Sequence, residues 1–447
     1  MAREFNPKSP MPLNCPILRM DEWLECEGLD PEISATFGRL YFACGDTYFT
    51  SHRNGASYRN AAYLPAYPLA MWIVQSWWRL FYEPKPYSDT LEWNATHCTR
   101  YAGHGFLWPD IWLQSDGVFM DILARSYIAD TEEPIEYFQR VSRGIPIDQL
   151  EVCFSDFVDN IIERIDRKET NMSNLWLEVL RERESKELTF QRKIEAIFGF
   201  DPDEFPEHEL QDLVRNSQYM GKTNLLETLA AFRLSGDVRD SKLKDKLHAL
   251  SDLHGVSGRF NLPALCCESP LQNTPQPWEL GRKLARNLRW QAGLSGKVST
   301  SELRDMIGLS ESDFNSSQAE ADIPFSFGMR NADTCKFTFL KDRIESKRFQ
   351  AARFIGDHCI SMFLEKDTNW LILSDSSTYR QKAQRAFGAE FLMPVDLITK
   401  YTDGQYTQTN VKKVAATFEV SPVLVATQLA NHRLISPADV ELYSYIS

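Results

Sequence analysis

The sequence predicts an α+β protein that is mostly helical, built from an N-terminal α+β module, a helical middle and a C-terminal domain. Aromatic and β-branched runs separated by turn residues dominate the first part, and amphipathic, highly charged helical stretches dominate the second. In the third part, helices alternate with short apolar strands. At 447 residues the chain exceeds the roughly 100 to 200 residues of an ordinary domain. We therefore expect domains at 1–145, 146–270 and 271–447.

Composition favours a globular protein, because 43% of residues are apolar, 25% are charged, and Gly and Pro are present at ordinary levels. The net charge of -13 argues against non-specific coating of nucleic acid, since phosphate binding needs clustered Lys and Arg. A local basic patch that binds nucleic acid is still compatible with this net charge.

The sequence predicts a cytoplasmic protein without a membrane segment. No stretch reaches the roughly 20 apolar residues of a membrane span, and the first 20 residues lack the apolar core of a signal peptide. The nine cysteines are odd in number and irregularly spaced, which is typical of reduced thiols. The adjacent pair Cys266 and Cys267 is not a CxxC motif, so a zinc ribbon is not expected.

The elements of the N-terminal module are predicted from local signals. The runs ISATFGRLYF and TYFTSHR, separated by ACGD, predict a hairpin. A helix is expected over PLAMWIVQSWWRLFYEP, with Pro68 in its first turn and Pro84 after its end. The stretch GHGFLWPDIWLQSDGVFMDI then predicts a loop that leads into a pair of strands.

The rest of the chain is predicted to be mainly helical, with a boundary near residue 270 in the Pro- and Asn-rich segment SGRFNLPALCCESPLQNTPQPW. After that boundary, strands are expected at CKFTFL and NWLILS. Helices are expected at PWELGRKLARNLRWQAGL, TSELRDMIGL, SKRFQAARFIGDHCISMFLEK, TYRQKAQRAFGAEFLMPVDLITKY and VKKVAATFEVSPVLVATQLANHRLIS.

Three stretches of the C-terminal domain carry a family resemblance. The first is a helix with Arg348, Phe349, Ala352 and Gly356, the second reads AFGAEFLMP at 386–394, and the third reads VAATFEVSPVLVATQLANHRLI. In this order they resemble the RFxxAHExGH, FAAELLMP and helix-turn-helix-like stretches of the ImmA/IrrE family of metallo-endopeptidases. The resemblance implies a zincin-like fold for this domain.

The residues that the resemblance places at the zinc site depart from the family pattern. Zinc hydrolysis needs two His at i and i+4 and a Glu next to the first. Here Arg353 and Asp357 occupy the His positions, and Phe354 occupies the Glu position. The turn in which the family carries its acidic third ligand reads YRQKAQ. The sequence therefore predicts a degenerate peptidase without a catalytic residue or a cofactor.

Two alternatives for this site stay open. Arg353 and Asp357, at i and i+4, can form an ion pair in place of the metal, or the pair is an ordinary surface salt bridge. A zinc peptidase with rearranged ligands would instead use Asp357 and His358, with Glu390 as a further candidate. Consecutive helical residues point about 100° apart, which makes joint ligation by Asp357 and His358 difficult.

The N-terminal module offers a second group of candidates in NATHCTRYAGHGFLWPD. His97, Cys98 and His104 could form a metal or nucleophile site, but histidines beside Trp108 and Trp112 are more often packed or hydrogen-bonded. The dense aromatic residues suit a thick core better than a recognition pocket. His104 and Trp108 are kept as candidate binding residues.

Basic residues supply the remaining candidates. Arg282, Lys283, Arg286 and Arg289 form a run on one helix that could contact phosphate or an acidic partner, or could be a solvated face. The last predicted helix offers possible base-reading side chains at its end, if the helix pair binds DNA. These side chains are Gln428, Asn431, His432 and Arg433.

The resemblance implies a function in regulation. Proteins with such domains act beside repressors, toxin–antitoxin pairs and stress regulators, so we expect a bacterial or mobile-element regulatory or phage-defence protein that is not an enzyme. Its expected partner is another protein, such as a repressor, a toxin or a defence component. The alternatives are a zinc metallo-endopeptidase with rearranged ligands and a sequence-specific DNA-binding regulator. The oligomeric state is not predicted.

Overall fold

The chain is a mixed α+β protein, mostly helical, with several small antiparallel sheets. The computed structural model describes residues 15–24, 26–128, 135–165, 170–234, 236, 243–252, 255–263, 275–316, 323–331, 333–363 and 369–444. It divides into two compact units, Met1–Leu210 and Gln211–Ser447. The division falls inside the segment predicted as a helical middle domain, and the partition into three domains stays a prediction.

The first unit combines three sheets with helices. Its strands are β1 (Pro16–Trp23), β2 (Phe37–Cys44), β3 (Thr47–Tyr48), β4 (His52–Asn54), β5 (Ser57–Arg59), β6 (Ala62–Pro65), β7 (Asp110–Ser115), β8 (Phe119–Arg125), β9 (Tyr127–Ile128), β10 (Ile135–Tyr137) and β11 (Val141–Pro146). The sheets have the orders β1-β2-β3 with β6 on β2, β5-β4-β10-β9, and β11-β8-β7. Its helices are α1 (Pro31–Ala35), α2 (Ala66–Tyr82), α3 (Leu91–His97), α4 (Ile147–Ile165), α5 (Asn171–Glu184) and α6 (Lys186–Phe198), and a short 3-10 helix spans Thr99–Ala102.

Helix α2 lies at the centre of the first unit because it is apolar on nearly every side. A helix of this kind is stable only when it is surrounded by other elements. Trp77 packs against Phe81, with ring centroids 4.8 Å apart, and against Trp176 of α5, at 5.0 Å. Trp108 belongs to the same core. The aromatic density of this module therefore forms a core.

The second unit is built mainly from helices around one sheet. Helix α7 (Glu207–Met220) spans the division between the units. The other helices are α8 (Lys222–Leu234), α9 (Leu243–Asp252), α10 (Pro277–Gln291), α11 (Thr300–Ile307), α12 (Glu311–Ser316), α13 (Ile344–Phe363), α14 (Tyr379–Leu392), α15 (Val395–Thr402), α16 (Gln408–Phe418), α17 (Pro422–Asn431) and α18 (Pro437–Ser444). The sheet has the order β12-β14-β13-β15, from β12 (Val256–Gly258), β13 (Ser326–Asn331), β14 (Thr334–Thr338) and β15 (Trp370–Leu373).

Most predicted elements are present, with informative differences. The hairpin is confirmed as β2 and β3, where Cys44 pairs with Thr47, but residues 33–35 belong to α1 and not to a strand. The helix predicted over residues 378–401 is two helices, α14 and α15, because Pro394 ends the hydrogen-bonding pattern of the first. Strands β12 and β13 were not predicted, since glycines interrupt their apolar pattern.

The helices can be compared with the length and apolarity that a membrane span requires. None of those that the structure describes is long and apolar enough to span a bilayer. The adjacent cysteines Cys266 and Cys267, and much of the predicted linker, lie outside the described residues.

Close contacts at two glycines let the main helices of the second unit pack together. A Cβ on Gly281 of α10 would lie 2.3 Å from the carbonyl oxygen of Ala383 and 2.8 Å from the backbone nitrogen of Phe387, both in α14. A Cβ on Gly356 of α13 would lie 2.6 Å from the ring of Phe387. The first two stretches of the family resemblance therefore pack directly against each other.

Substituting Gly281→Ala is expected to destabilise the second unit by about 1 to 3 kcal/mol, because backbone atoms of α14 must move to admit the methyl group. The destabilisation caused by this close contact should exceed the roughly 1 kcal/mol by which alanine is favoured over glycine in a helix. Urea unfolding followed by circular dichroism measures it. Gly296→Ala is the control, since no atom lies within 4 Å of its added Cβ. Equal midpoints for both variants would contradict the close packing.

Candidate functional site

Helix α13 carries the three residues that the resemblance places at the zinc site, and all three are buried. Arg353 is 5% exposed, Phe354 is 0% exposed and Asp357 is 0% exposed. The helix packs against α14 and against the sheet. Charged side chains at such positions need specific partners, because burying an unpaired charge is costly.

Asp357 is held by Arg380 of α14 and not by Arg353. The Nε of Arg380 donates to Oδ1 of Asp357 at 2.7 Å, and its Nη2 donates to Oδ2 at 2.6 Å. Burial alone would lower the pKa of the Arg380 guanidinium, but the Asp357 carboxylate more than offsets this effect and raises it. The predicted i, i+4 pair between Arg353 and Asp357 is therefore wrong, and a surface salt bridge is wrong as well.

Arg353 turns toward the end of β15 and the start of α14. Its Nη2 donates to the carbonyl oxygen of Ser374 at 2.6 Å and to Oε1 of Gln381 at 2.7 Å. Asp375 lies 3.9 Å from its Nη1 and is largely exposed. The amide of Gln381 also accepts from the Ser374 backbone nitrogen and donates to the carbonyl of Ile372. The guanidinium thus ties α13 to the end of the strand.

Helix α8 completes this buried polar network, which the sequence did not predict. Asn224 accepts a hydrogen bond from Nη1 of Arg380 at 2.8 Å. Glu227 accepts from the hydroxyl of Thr378 at 2.8 Å and from Nε2 of Gln381 at 3.2 Å. Burial raises the pKa of Glu227, and the positive charge of Arg380 opposes that rise. No sequence signal linked α8 to residues more than 150 positions away.

Phe354 serves packing. Its ring lies 5.1 Å from that of Phe337 and 5.5 Å from that of Phe339, both in edge-to-face geometry. Phe354 follows Arg353 on α13, and its ring lies against Gly328 on the apolar face of the sheet. An apolar core residue therefore stands at the position where the resemblance predicts a side chain that accepts a proton from water.

The alternative zinc ligands do not fit a zinc ion as they are arranged. Both oxygens of Asp357 are bonded to Arg380. His358 stacks on Phe260 with ring centroids 4.3 Å apart, and burial lowers its pKa to about 4. Glu390 is engaged elsewhere, as described below. Within the described part of the chain, no group of three or more His, Cys, Asp or Glu side chains is placed to hold a metal.

Glu390 is the centre of a second polar cluster, between α10, α14 and α17. Its Oε1 accepts from Nε of Arg286 at 2.7 Å, and its Oε2 accepts from Nε2 of Gln428 at 2.9 Å. Nη2 of Arg282 reaches the carbonyl oxygen of Asn431 at 3.5 Å. Gln428 is buried by this contact, so it is not available to read DNA bases.

The cluster mixes cations and carboxylates, because the charges of Glu279 and Asp396 act on Arg282 and Arg286, respectively, in addition to that of Glu390. Burial lowers the pKa of Arg282, and burial together with the charge of Arg282 lowers the pKa of His432. The hydrogen bond to Glu390 raises the pKa of Arg286, whose side chain is 54% exposed. Arg433 is exposed and adopts a left-handed backbone with φ of 59°. The structure thus brings together two of the predicted binding residues, Arg282 and Arg286.

The candidates in the first unit are mostly core residues. His97 is fully buried, stacked on Trp93 at 4.4 Å, with Nδ1 hydrogen-bonded to the carbonyl of that residue. Cys98 is buried, and burial raises the pKa of its thiol to about 12. Trp108 is buried and donates to the carbonyl of Gly103. His104 is exposed, so these side chains do not converge on one site.

Comparison with models of known protein families, with curated proteins and with solved structures gave no match for this chain. The resemblance to ImmA/IrrE peptidases therefore depends on the residues quoted above and stays a prediction.

Replacing Arg380→Met should lower the free energy of unfolding by about 3 to 5 kcal/mol, because it leaves the buried Asp357 carboxylate without its hydrogen-bonded cation. The double variant Arg380→Met/Asp357→Leu should recover much of the loss. Chemical denaturation measures all three proteins. As a control, Arg215→Met removes an exposed ion-pair partner of Asp212 and should cost less than about 1 kcal/mol. If the double variant were no more stable than Arg380→Met, the coupling between the two residues would be absent.

Proposed function

We propose that this chain is a non-catalytic protein of the ImmA/IrrE type that acts by binding another protein, in a bacterial or mobile-element regulatory or defence setting. The observation that carries the proposal is the buried Arg380–Asp357 ion pair. Asp357 and Arg353 occupy the two positions where the resemblance places histidine ligands, and Arg380 lies in the turn where the family carries its acidic ligand.

The electrostatics of these positions support a structural role. A guanidinium stays protonated in proteins and cannot donate a lone pair to a metal. One guanidinium, that of Arg353, therefore stands where the family has a histidine, and that of Arg380 lies in the turn where the family has an acidic ligand. The rearranged zinc peptidase has less support, because Asp357 and Glu390 already use both of their oxygens in hydrogen bonds.

The surface of α10 supports a binding role. Trp278, Arg282, Arg286 and Trp290 follow one another at intervals of four residues, which places them along one side of the helix. We call these four residues the α10 stripe. Trp290 is 80% exposed and Trp278 is 38% exposed, although apolar rings of that size usually gain from burial. Tryptophan and arginine are also the residues most enriched among those that dominate binding energy at protein interfaces.

The chemistry of the stripe favours an acidic helical segment as its partner. The Arg286 side chain is 54% exposed and Arg282 is half-buried, and the carboxylates of Glu279, Glu390 and Asp396 offset part of their charge. A partner with carboxylates flanked by apolar side chains would pair with the arginines and cover the two indole rings. The net charge of -13 disfavours nucleic acid, for which long-range repulsion would oppose binding.

Titration with a fluorescein-labelled amphipathic helix, with leucines on one face and glutamates on the other, tests this proposal. We expect saturable binding that the variant Trp290→Ala/Arg282→Gln weakens at least about tenfold, as the loss of interface hot spots does. Fluorescence anisotropy measures the affinity. Arg286 is kept in this variant because it holds the buried Glu390.

The matched control is Tyr219→Ala/Lys412→Gln, which also removes one exposed aromatic ring and one cation from the second unit. It should leave the affinity unchanged. The same weakening in both variants, or no binding to the native chain, would contradict the proposal. Tighter, salt-dependent binding to a DNA duplex that is lost in Arg433→Ala would favour the DNA-binding alternative.

A further inference from the structure

Arg330 lies near the end of β13 on the face of the sheet that is covered by α13. Gly328, two residues earlier on the same face, lies against Phe354 of that helix. The charge that acts most strongly on Arg330 is the carboxylate of Asp357. Both oxygens of Asp357 accept hydrogen bonds from Arg380, and Nε and Nη2 of Arg330 form none with Asp357.

One edge of the Arg330 guanidinium has no protein partner. Its Nε and Nη2 are buried and make no hydrogen bond within the part of the chain that the structure describes. These are the two nitrogens that Arg380 uses to hold the Asp357 carboxylate in two parallel hydrogen bonds. The same domain therefore contains one such edge paired with a carboxylate and a second without an acceptor.

Two further groups lie near Arg330. His358 has a buried Nδ1 that makes no hydrogen bond to any described residue. Its ring stacks on that of Phe260 with an interplanar angle of 9°. The Cζ of Arg330 lies 5.6 Å from the centroid of the Phe260 ring. The charge of Arg330 also contributes to the low pKa of His358, so three donors and one apolar ring lie near one another in this part of the second unit.

We propose that Arg330, His358 and Phe260 form a binding site for a carboxylate that carries an apolar group. The two oxygens would accept hydrogen bonds from Nε and Nη2 of Arg330, and one of them also from Nδ1 of His358 when that nitrogen carries the proton. The apolar group would lie against Phe260. This ring is half-buried and follows β12, and entry of the carboxylate to the buried nitrogens would require the ring to rotate.

The charge of the site favours a monoanion. Arg330 is the cation without a hydrogen-bonded acid, and burial keeps His358 neutral at neutral pH. A phosphate carries between one and two negative charges at that pH, so it would remain partly uncompensated in such a site. A carboxylate matches the single guanidinium in charge and in its planar, two-point geometry.

Isothermal titration of the full chain with benzoate tests this site. We expect one saturable site that binds benzoate more tightly than acetate, because acetate has no ring to place on Phe260. The variant Arg330→Gln should weaken benzoate binding roughly 10- to 100-fold, as the loss of a charged hydrogen-bonding partner does. Arg343→Gln, which removes an exposed arginine of the same unit, should leave the affinity unchanged.

A peptide that ends in phenylalanine carboxylate, compared with its C-terminal amide, identifies the source of the acid. If the peptide acid binds more tightly than benzoate and its amide does not bind, the natural ligand is the C-terminal end of a polypeptide. Binding no tighter than benzoate indicates a small acid. Both results support the carboxylate site.

Three results would overturn the proposal: no saturable binding of benzoate to the native chain, equal weakening in Arg330→Gln and Arg343→Gln, or tighter binding of inorganic phosphate that depends on Arg330. Thermal unfolding separates loss of the site from loss of the fold. Without ligand, Arg330→Gln should unfold at the same temperature as the native chain or a higher one, because it removes a buried cation without a hydrogen-bonded acid. Benzoate should stabilise the native chain only.

Discussion

The buried ion pair between Arg380 and Asp357 is the constraint on which the second unit depends. Its two hydrogen bonds join α14 to α13. In addition, Nη1 of Arg380 donates to Asn224 of α8, and Nη2 also donates to the carbonyl of Trp370 in β15. Breaking such a pair leaves a buried charge unpaired, whereas removing both members is far less costly. The pair therefore fixes how three helices and a strand meet, at the position where the resemblance expects a metal ion to join them.

Helix positions in this unit could be predicted from sequence, but the partners of buried charges could not. Apolar spacing located α13 and α14, and the strand signals located β14 and β15. The expected pair Arg353 and Asp357 followed from i, i+4 spacing, which describes neighbours on an isolated helix. In the folded chain Arg353 hydrogen-bonds instead to Ser374 and Gln381. These partners depend on how β15 and α14 pack against α13.

Glu227 and Arg330 could not be predicted as members of these polar groups, because the sequence placed one in another domain and the other outside any strand. Glu227 lies in a segment predicted to form a separate domain, yet it accepts hydrogen bonds from residues of the second unit that lie 151 and 154 positions later. Arg330 lies on a strand whose pattern is interrupted by Gly328, so the strand and its inward-facing arginine were both missed. In contrast, the basic run of α10 was found from sequence, because exposed helical residues follow the spacing of their own helix.

A crystal structure determined from crystals grown with excess zinc, with anomalous data collected at the zinc edge, tests the central claim most directly. The account predicts that Nε and Nη2 of Arg380 remain within hydrogen-bonding distance of Asp357, with no anomalous peak beside α13. A zinc peak bonded to Asp357 or His358, with the guanidinium of Arg380 displaced, would contradict it.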